Sequence, residues 1–414
     1  MRKNGFTTTN LHLERWALPE HGALRKPIHT SIAFGYERAE DLAAVFQGRQ
    51  KGFAYSRQAN PTVQAVEQKI TAMEGGAGSV CFATGMAALG AIFFALLKRD
   101  DHIVASRYLF GNTASMLSTL EQLGVEVTFV DATDVANVET ALRGRTRLVL
   151  VETIANPVTQ IADLQRIGEL CKARKLLYVV DNTMTSPWLF QPKSVHATFS
   201  VNSLSKYFGG HGAALGGSVT DCGGTDWTDD PGILDAYKET APVEQWGLVQ
   251  VRKKGLRDFG GTLSPEAAHS LSLGSETMAL RMERACDNAA KLARFLESHK
   301  AVVEVNHPSL LNHPQSGLAA KLFRRPGALL SFSLDDRYDP LAFMSCLKVV
   351  VNSTNLGDTR TLGIAVAPTI FFELGAERRA QMGIREGLIR LSVGIEDVED
   401  LLNDFQQALD QLGG

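Results

Sequence analysis

Lys206 and its neighbours offer the clearest chemistry in this chain. In Asn202-Ser203-Leu204-Ser205-Lys206-Tyr207-Phe208-Gly209-Gly210-His211-Gly212, two hydroxyls stand three and one residues before a lysine, and a glycine cluster follows. Lysines are seldom buried without a task, and an apolar or cationic environment turns them into imine-forming nucleophiles by lowering their pKa. The plainer alternative is a solvated lysine beside a flexible loop. Asp181, in Val179-Val180-Asp181-Asn182-Thr183, is either a turn former at a strand tip or a carboxylate aimed at a protonated ring nitrogen. Cys81-Phe82-Ala83-Thr84-Gly85-Met86 breaks a strand and opens a helix, whose free N–H groups and positive dipole end can seat a phosphate; a plain turn would look the same. Glu152-Thr153-Ile154-Ala155-Asn156-Pro157 is a polar strand end with little meaning by itself.

The elements that must position these groups alternate between short apolar runs and helical patterns up to about residue 220. Candidate strands are Ser79–Ala83, His102–Ala105, Val125–Val130, Arg147–Glu152, Leu176–Val180, Ala197–Asn202 and Gly216–Thr220. The unbroken Leu148-Val149-Leu150-Val151 fits a strand covered on both faces. Such alternation predicts an α/β fold with a mainly parallel, doubly wound seven-stranded sheet, whose ligands lie outside the carboxyl ends of the strands. Before it, Asn60 suits a helix cap and Pro61 a first helical position, with Val63, Val66, Ile70 and Met73 recurring at helical spacing. Residues 1–58 are weakly periodic and read as an arm lying on something else, such as a partner subunit. Residues 59–255 form the expected main domain. Residues 256–414 form a smaller α+β domain with strands at Ala328–Leu334 and Leu388–Val393, then a closing helix striped by Val398, Leu401, Leu402, Phe405, Leu409 and Leu412.

Composition narrows the function. The 414 residues carry 42 Lys+Arg against 45 Asp+Glu, a net charge of −3 that gives no field for a nucleic-acid backbone or an anionic membrane. With 44% hydrophobic and 21% charged residues the chain is ordinary globular material. The longest apolar stretch, Met86 to Leu97, is too short to span a bilayer, which needs about 20 residues. Cysteines at 81, 171, 222, 286 and 346 have no metal or redox spacing and read as reduced thiols, and no secretory pattern opens the chain, so a cytoplasmic protein without a metal is expected. Arg252-Lys253-Lys254 reads as a solvated helix face, and His307 and His313 as loop histidines.

A phosphate seat, a ring-nitrogen partner and an imine lysine on one sheet edge are the parts that pyridoxal 5'-phosphate (PLP) requires. Here the chain resembles the transsulfuration family of fold-type I PLP enzymes, which includes cystathionine γ-synthase, cystathionine γ-lyase, methionine γ-lyase and the O-acylhomoserine sulfhydrylases. The matching runs are Tyr55-Ser56-Arg57, Ala83–Ala88, Glu152–Pro157, Asp181–Thr183, Ser203–Lys206 with Gly210-His211-Gly212, and Leu391-Ser392-Val393-Gly394. The resemblance implies that Lys206 is the catalytic residue, bonding the cofactor and then shuttling protons. It implies that Asp181, supported by Thr183, binds the pyridinium nitrogen, and that Gly85, Met86, Ser203 and Ser205 hold the phosphate. Asn156 would lie near the phenolic oxygen, Phe110 would stack on the ring, and Arg390 would grip the substrate carboxylate, with Asn355 beside it. Tyr55 and Arg57 would reach the site of the neighbouring subunit, so a homodimer with shared sites, assembled as a homotetramer, is implied.

Three departures bear on the substrate. The family's usual tyrosine is Phe110 here, which stacks but donates no proton unless Tyr108 takes its place; Asn112 stands where methionine γ-lyases tend to have cysteine. Asn355 replaces a common serine, and Ala367–Glu373 replaces a usual Met-Thr-His stretch. A thiolate, whose acid has a pKa of about 8.5, leaves badly without a proton donor, whereas a carboxylate with a pKa of about 4 leaves unaided. The expectation is therefore γ-replacement on an O-acylated L-homoserine through a β,γ-unsaturated intermediate. Alternatives are γ-elimination from methionine- or cystathionine-like amino acids, a fold-type I aminotransferase, and a non-catalytic PLP-fold binding protein.

Overall fold

The computed structural model describes residues 4–239 and 241–412. A seven-stranded sheet is built from β1 (Gly78–Phe82), β2 (His102–Ser106), β3 (Glu126–Val130), β4 (Thr146–Glu152), β5 (Leu177–Asp181), β6 (Phe199–Ser203) and β7 (Gly217–Asp221). All seven expected strands are present, each displaced by two residues or fewer at its ends. Their spatial order is β1-β7-β6-β5-β4-β2-β3. Strands β2 to β6 pair in parallel, and β7 runs antiparallel to both β1 and β6. Periodicity along a strand does not encode this reversal, because direction is set by how the chain returns after Lys206.

Helices cover both sheet faces, which is why the middle of β4, Leu148-Val149-Leu150-Val151, is apolar at every position. In β4, Val149 and Val151 pack into the core that includes Val66, Ile70 and Ile167, while Leu148 and Leu150 pack into the opposite core with Leu89, Ile92 and Leu117. The first of these helices, Pro61–Glu74, starts where its sequence announces it: the Asn60 side chain accepts from the Thr62 and Val63 amides at 2.9 and 3.4 Å.

A second, five-stranded sheet comprises β8 (Val302–Asn306), β9 (Leu329–Leu334), β10 (Val351–Asn352), β11 (Leu362–Ala365) and β12 (Leu388–Ser392), in the order β10-β11-β12-β9-β8. The expected strands at Ala328–Leu334 and Leu388–Val393 are β9 and β12; β8, β10 and β11 are too short or too polar to stand out in sequence. The closing helix Val398–Gln411 lays Leu401, Phe405 and Leu409 on this sheet.

Two features of the periphery differ from the sequence pattern. A helix forms at Phe6–Trp16 and is tied to its own chain: Asn10 Nδ2 donates to Ser275 O at 2.7 Å, and Glu14 pairs with buried Lys69 at 3.0 Å. The expected break at 255/256 falls inside the helical run Trp246–Asp258. The change of core comes later, within the helix Met278–Glu297. Met282, Ala285 and Cys286 belong to the core of the large sheet, and Leu292 and Leu296 to that of the small one. Among the described residues no helix is long and apolar enough to cross a membrane.

Candidate active site

The carboxyl ends of β4, β5 and β6 lie side by side, and each ends on a polar residue: Glu152, Asp181 and Ser203. Strand β1 points the same way, and after it Thr84 caps the helix Gly85–Leu96 by accepting from the Ala87 amide at 3.0 Å. A cavity of about 360 Å³ opens at this rim. Of the residues singled out in sequence it brings together Gly85, Met86, Phe110, Asn156, Asp181, Thr183, Ser203, Ser205, Lys206, Asn355 and Arg390. It does not gather Tyr55 and Arg57, which lie on the surface away from it. Tyr55 is 41% exposed, with the Arg57 guanidinium 5.5 Å from its ring centroid. Arg57 also donates to the Arg257 carbonyl.

Close packing sets the lysine. Directly after β6 the chain enters the short helical segment Leu204–Phe208, which carries Lys206 on the cavity wall. Gly357 presses against it with φ +74°; a Cβ there would lie 2.4 Å from the Tyr207 nitrogen, so only glycine allows the approach. The Lys206 ammonium donates to Asn355 Oδ1 at 2.7 Å. Burial, with the Arg390 guanidinium adding to it, holds the Lys206 pKa below that of an ordinary lysine.

Asp181 Oδ1 accepts from the Thr183 amide at 2.9 Å, and Thr183 Oγ1 accepts from the Ser203 amide at 2.8 Å, tying the ends of β5 and β6 together. Burial raises the Asp181 pKa against these bonds. Gly85 meets Ser203 so closely that a Cβ would stand 2.9 Å from the serine Cβ. The hydroxyl of Ser205 is engaged elsewhere: it accepts from the Gly216 amide at 2.9 Å and bonds the Gly216 carbonyl at 3.3 Å.

Arg390, on β12, is 1% exposed, and burial brings its pKa down to about 10. One of its terminal nitrogens donates to the carbonyls of Thr354 and Asn355 at 3.1 and 3.0 Å, while its buried Nε has no partner. Asn156 Oδ1 is likewise buried without a partner. Unpaired buried polar atoms are uncommon and costly, so two of them on one cavity fit a bound polar group. The free amide donors at the start of helix Gly85–Leu96 suit a phosphate, and Asp181 suits a cationic ring nitrogen. The residues present therefore fit PLP.

Several wall residues carry no signal in sequence. These are Leu89, Thr113, Met184, Leu215, Thr354, Leu356 and Ile370, which with Thr84 and Glu152 complete the lining; Glu152 accepts from the Phe110 amide at 2.7 Å. Most are ordinary apolar residues that only the fold brings to the cavity. Glu152 stands out in sequence only as the first residue of the polar strand end Glu152–Pro157, with no role of its own. Tyr108, the alternative proton donor, is not on the wall; its hydroxyl donates to Asp131 at 2.8 Å, and burial together with that bond pushes its pKa up to about 12. The solvated-face expectation fails for Arg252, which pairs with buried Glu67 at 2.7 Å. Lys253 sits 4.7 Å from the Tyr237 ring centroid. His307 bonds the Gly327 carbonyl at 3.3 Å and His313 the Thr159 hydroxyl at 3.2 Å.

Comparison with known proteins supports the family and the cofactor. Residues 7–410 match the family described as Cys/Met metabolism PLP-dependent enzyme. The L-methionine gamma-lyase of Pseudomonas deceptionensis is 34% identical over 409 residues, covering 98% of this chain and 97% of the relative. The O-acetyl-L-homoserine sulfhydrylase 1 of Thermus thermophilus is 35% identical, covering 98% and 99%. Among solved structures, a Campylobacter jejuni protein assigned as an O-acetylhomoserine (thiol)-lyase superimposes with a TM-score of 0.92 at 31% identity, covering 98% of this chain and 100% of its own, and contains N'-pyridoxyl-lysine-5'-monophosphate. The order of strands, the lysine at their rim and these likenesses lead to one conclusion: the chain belongs to the Cys/Met metabolism family of PLP-dependent enzymes.

Proposed function

We propose that this enzyme replaces the acyloxy group of an O-acylated L-homoserine with a sulfur nucleophile: the Cγ–O bond breaks, a carboxylate leaves, and a Cγ–S bond forms. The observation that carries this reading is the aromatic residue on the cavity wall: Phe110 has no acidic proton, and the nearby Tyr108 is committed to Asp131. A carboxylate leaving group needs no acid, whereas a thiolate does.

Bound PLP supplies an electrophilic aldehyde and a ring that withdraws electrons from the substrate's α-carbon. The protein does the rest. Arg390 is poised to take the substrate carboxylate, with its unpartnered Nε as the donor still to be satisfied. Lys206 Nζ, whose lowered pKa leaves more of it as free amine, removes protons from Cα and then Cβ. Asp181 keeps the ring nitrogen protonated by its charge. Phe110, Leu215 and Ile370 give the cavity an apolar side that limits the access of water to the substrate's γ-position. The exposed Tyr55 and Arg57 are proposed to serve the phosphate of a second copy of the chain in a homodimer, itself paired into a homotetramer.

The substrate test compares kcat/KM on O-acetyl-L-homoserine, O-succinyl-L-homoserine and L-methionine, with and without sulfide. Preference for an acylhomoserine with sulfide-dependent product is expected, and a clear preference for methionine overturns the reading. In Phe110→Tyr, elimination from methionine should rise about a hundredfold, the size of a typical general-acid contribution, while acylhomoserine turnover changes little. Arg390→Lys should raise KM for the amino acid by about ten- to a hundredfold through loss of charged hydrogen bonds, with a smaller effect on kcat. Elimination from methionine is the second reading, favoured by relatives named L-methionine gamma-lyase at 33–34% identity.

A further inference from the structure

Two acids meet at the floor of the cavity. Glu152 and Asp181 are register partners on the parallel strands β4 and β5, and both line the cavity. Register partners on neighbouring strands point to the same face, and the strands are only about 4.8 Å apart. Glu152 is 8% exposed. Two carboxyls this close, one buried and one partly buried, cannot both carry charge at low cost, so one of them holds a proton.

The surroundings decide which one. Asp181 accepts a backbone amide from Thr183 and, as proposed, faces the cationic nitrogen of the cofactor. Among the described residues the other charged groups around the cavity are Lys206 and Arg390, and neither is hydrogen-bonded to Glu152. The bond that Glu152 makes is with the Phe110 amide, and the carbonyl oxygen of an uncharged acid accepts that N–H as well as a carboxylate would. Burial, and then the Asp181 charge, push the Glu152 pKa well above the usual carboxyl range, in agreement with the geometry.

That single bond lies at a decisive point. Phe110 immediately precedes the helix Gly111–Gln122 and has no side-chain cap. The loop before it is held on its far side, where the Arg107 amide donates to Val130 O at 2.8 Å and Tyr108 bonds Asp131. Glu152 is the anchor on the cavity side.

We propose that Glu152 is a positioning residue: an uncharged carboxyl that holds Phe110 where its ring faces the cavity and leaves Asp181 as the charged member of the pair. This role does not depend on which leaving group or nucleophile is used. Glu152→Gln keeps the acceptor and should leave PLP affinity of the apoenzyme and substrate KM within about twofold of wild type, whereas Glu152→Ala raises KM about tenfold and alters the circular dichroism of the bound cofactor. The infrared difference spectrum of wild-type holoenzyme against Glu152→Gln at neutral pH should contain the carbonyl stretch of a protonated carboxyl. Equal impairment of the two variants, or a difference spectrum holding only ionised-carboxylate bands, overturns the proposal. If Glu152→Ala does not fold, the infrared spectrum and Glu152→Gln still decide. Phe110→Ala should reproduce the raised KM, and adding Glu152→Gln to it should change nothing further.

Discussion

Replacing Lys206 with alanine is expected to lower turnover by about ten-thousandfold or more, because the proposed function gives one amine both the bond to the cofactor and the movement of protons. Nothing else on the cavity wall substitutes for it. Arg390, with a pKa of about 10, keeps its proton, Asn355 has no basic nitrogen, and of the two acids at the floor Glu152 is proposed to be uncharged and Asp181 to face the ring nitrogen. The measurement pairs kcat with borohydride reduction. Wild-type protein should retain pyridoxyl label after denaturation, and Lys206→Ala should retain none while still binding PLP reversibly through the remaining contacts. Small primary amines should restore part of the rate. Undiminished turnover in the variant, or label surviving in it, would place the chemistry on another residue.

The second large effect is expected at Asp181. On the proposed pairing of Asp181 with the ring nitrogen, removing one partner of a charge pair shielded from water costs about 3–5 kcal/mol, so Asp181→Asn should reduce kcat by about two to three orders of magnitude. The loss differs in kind from that of Lys206→Ala: label is still trapped on the lysine, yet the ring no longer stabilises negative charge at Cα. Asp181→Glu should recover part of the rate, because it restores the charge at a displaced position. The Thr183 amide, which donates to Asp181 at 2.9 Å, would also lose a charged acceptor, so a modest fall in thermal midpoint accompanies the asparagine variant. A kcat within about threefold of wild type would mean that Asp181 is only the turn former that its position also allows.

Both predictions rest on a rim whose parts could be read one by one. The large-sheet strands were visible as short apolar-rich runs between helical patterns, and the clearest, Leu148-Val149-Leu150-Val151, is unbroken because it is covered on both faces. The lysine stood out because buried lysines are rare, and the Asn60-Pro61 helix start because capping is local. The helix Phe6–Trp16 was not legible: its sequence FTTTNLHLERW is largely polar, and it is held by long-range bonds to Lys69 and Ser275. Strand β11 was obscured by Gly363 in its middle. Arg252 looked solvated because nothing near it in sequence announces Glu67.

Local chemistry, then, determined which residues could react: an amine, an acid, a helix start and a guanidinium, each at the end of its own element. What no spacing encodes is their convergence. The tertiary structure alone set Glu152 opposite Asp181, bound the Lys206 amine to Asn355 from 149 residues away, and turned Tyr108 toward Asp131 and away from the cavity. The physical reason is that pKa values and proton paths depend on distance and burial in three dimensions, whereas helix and strand formation answer mainly to neighbours along the chain.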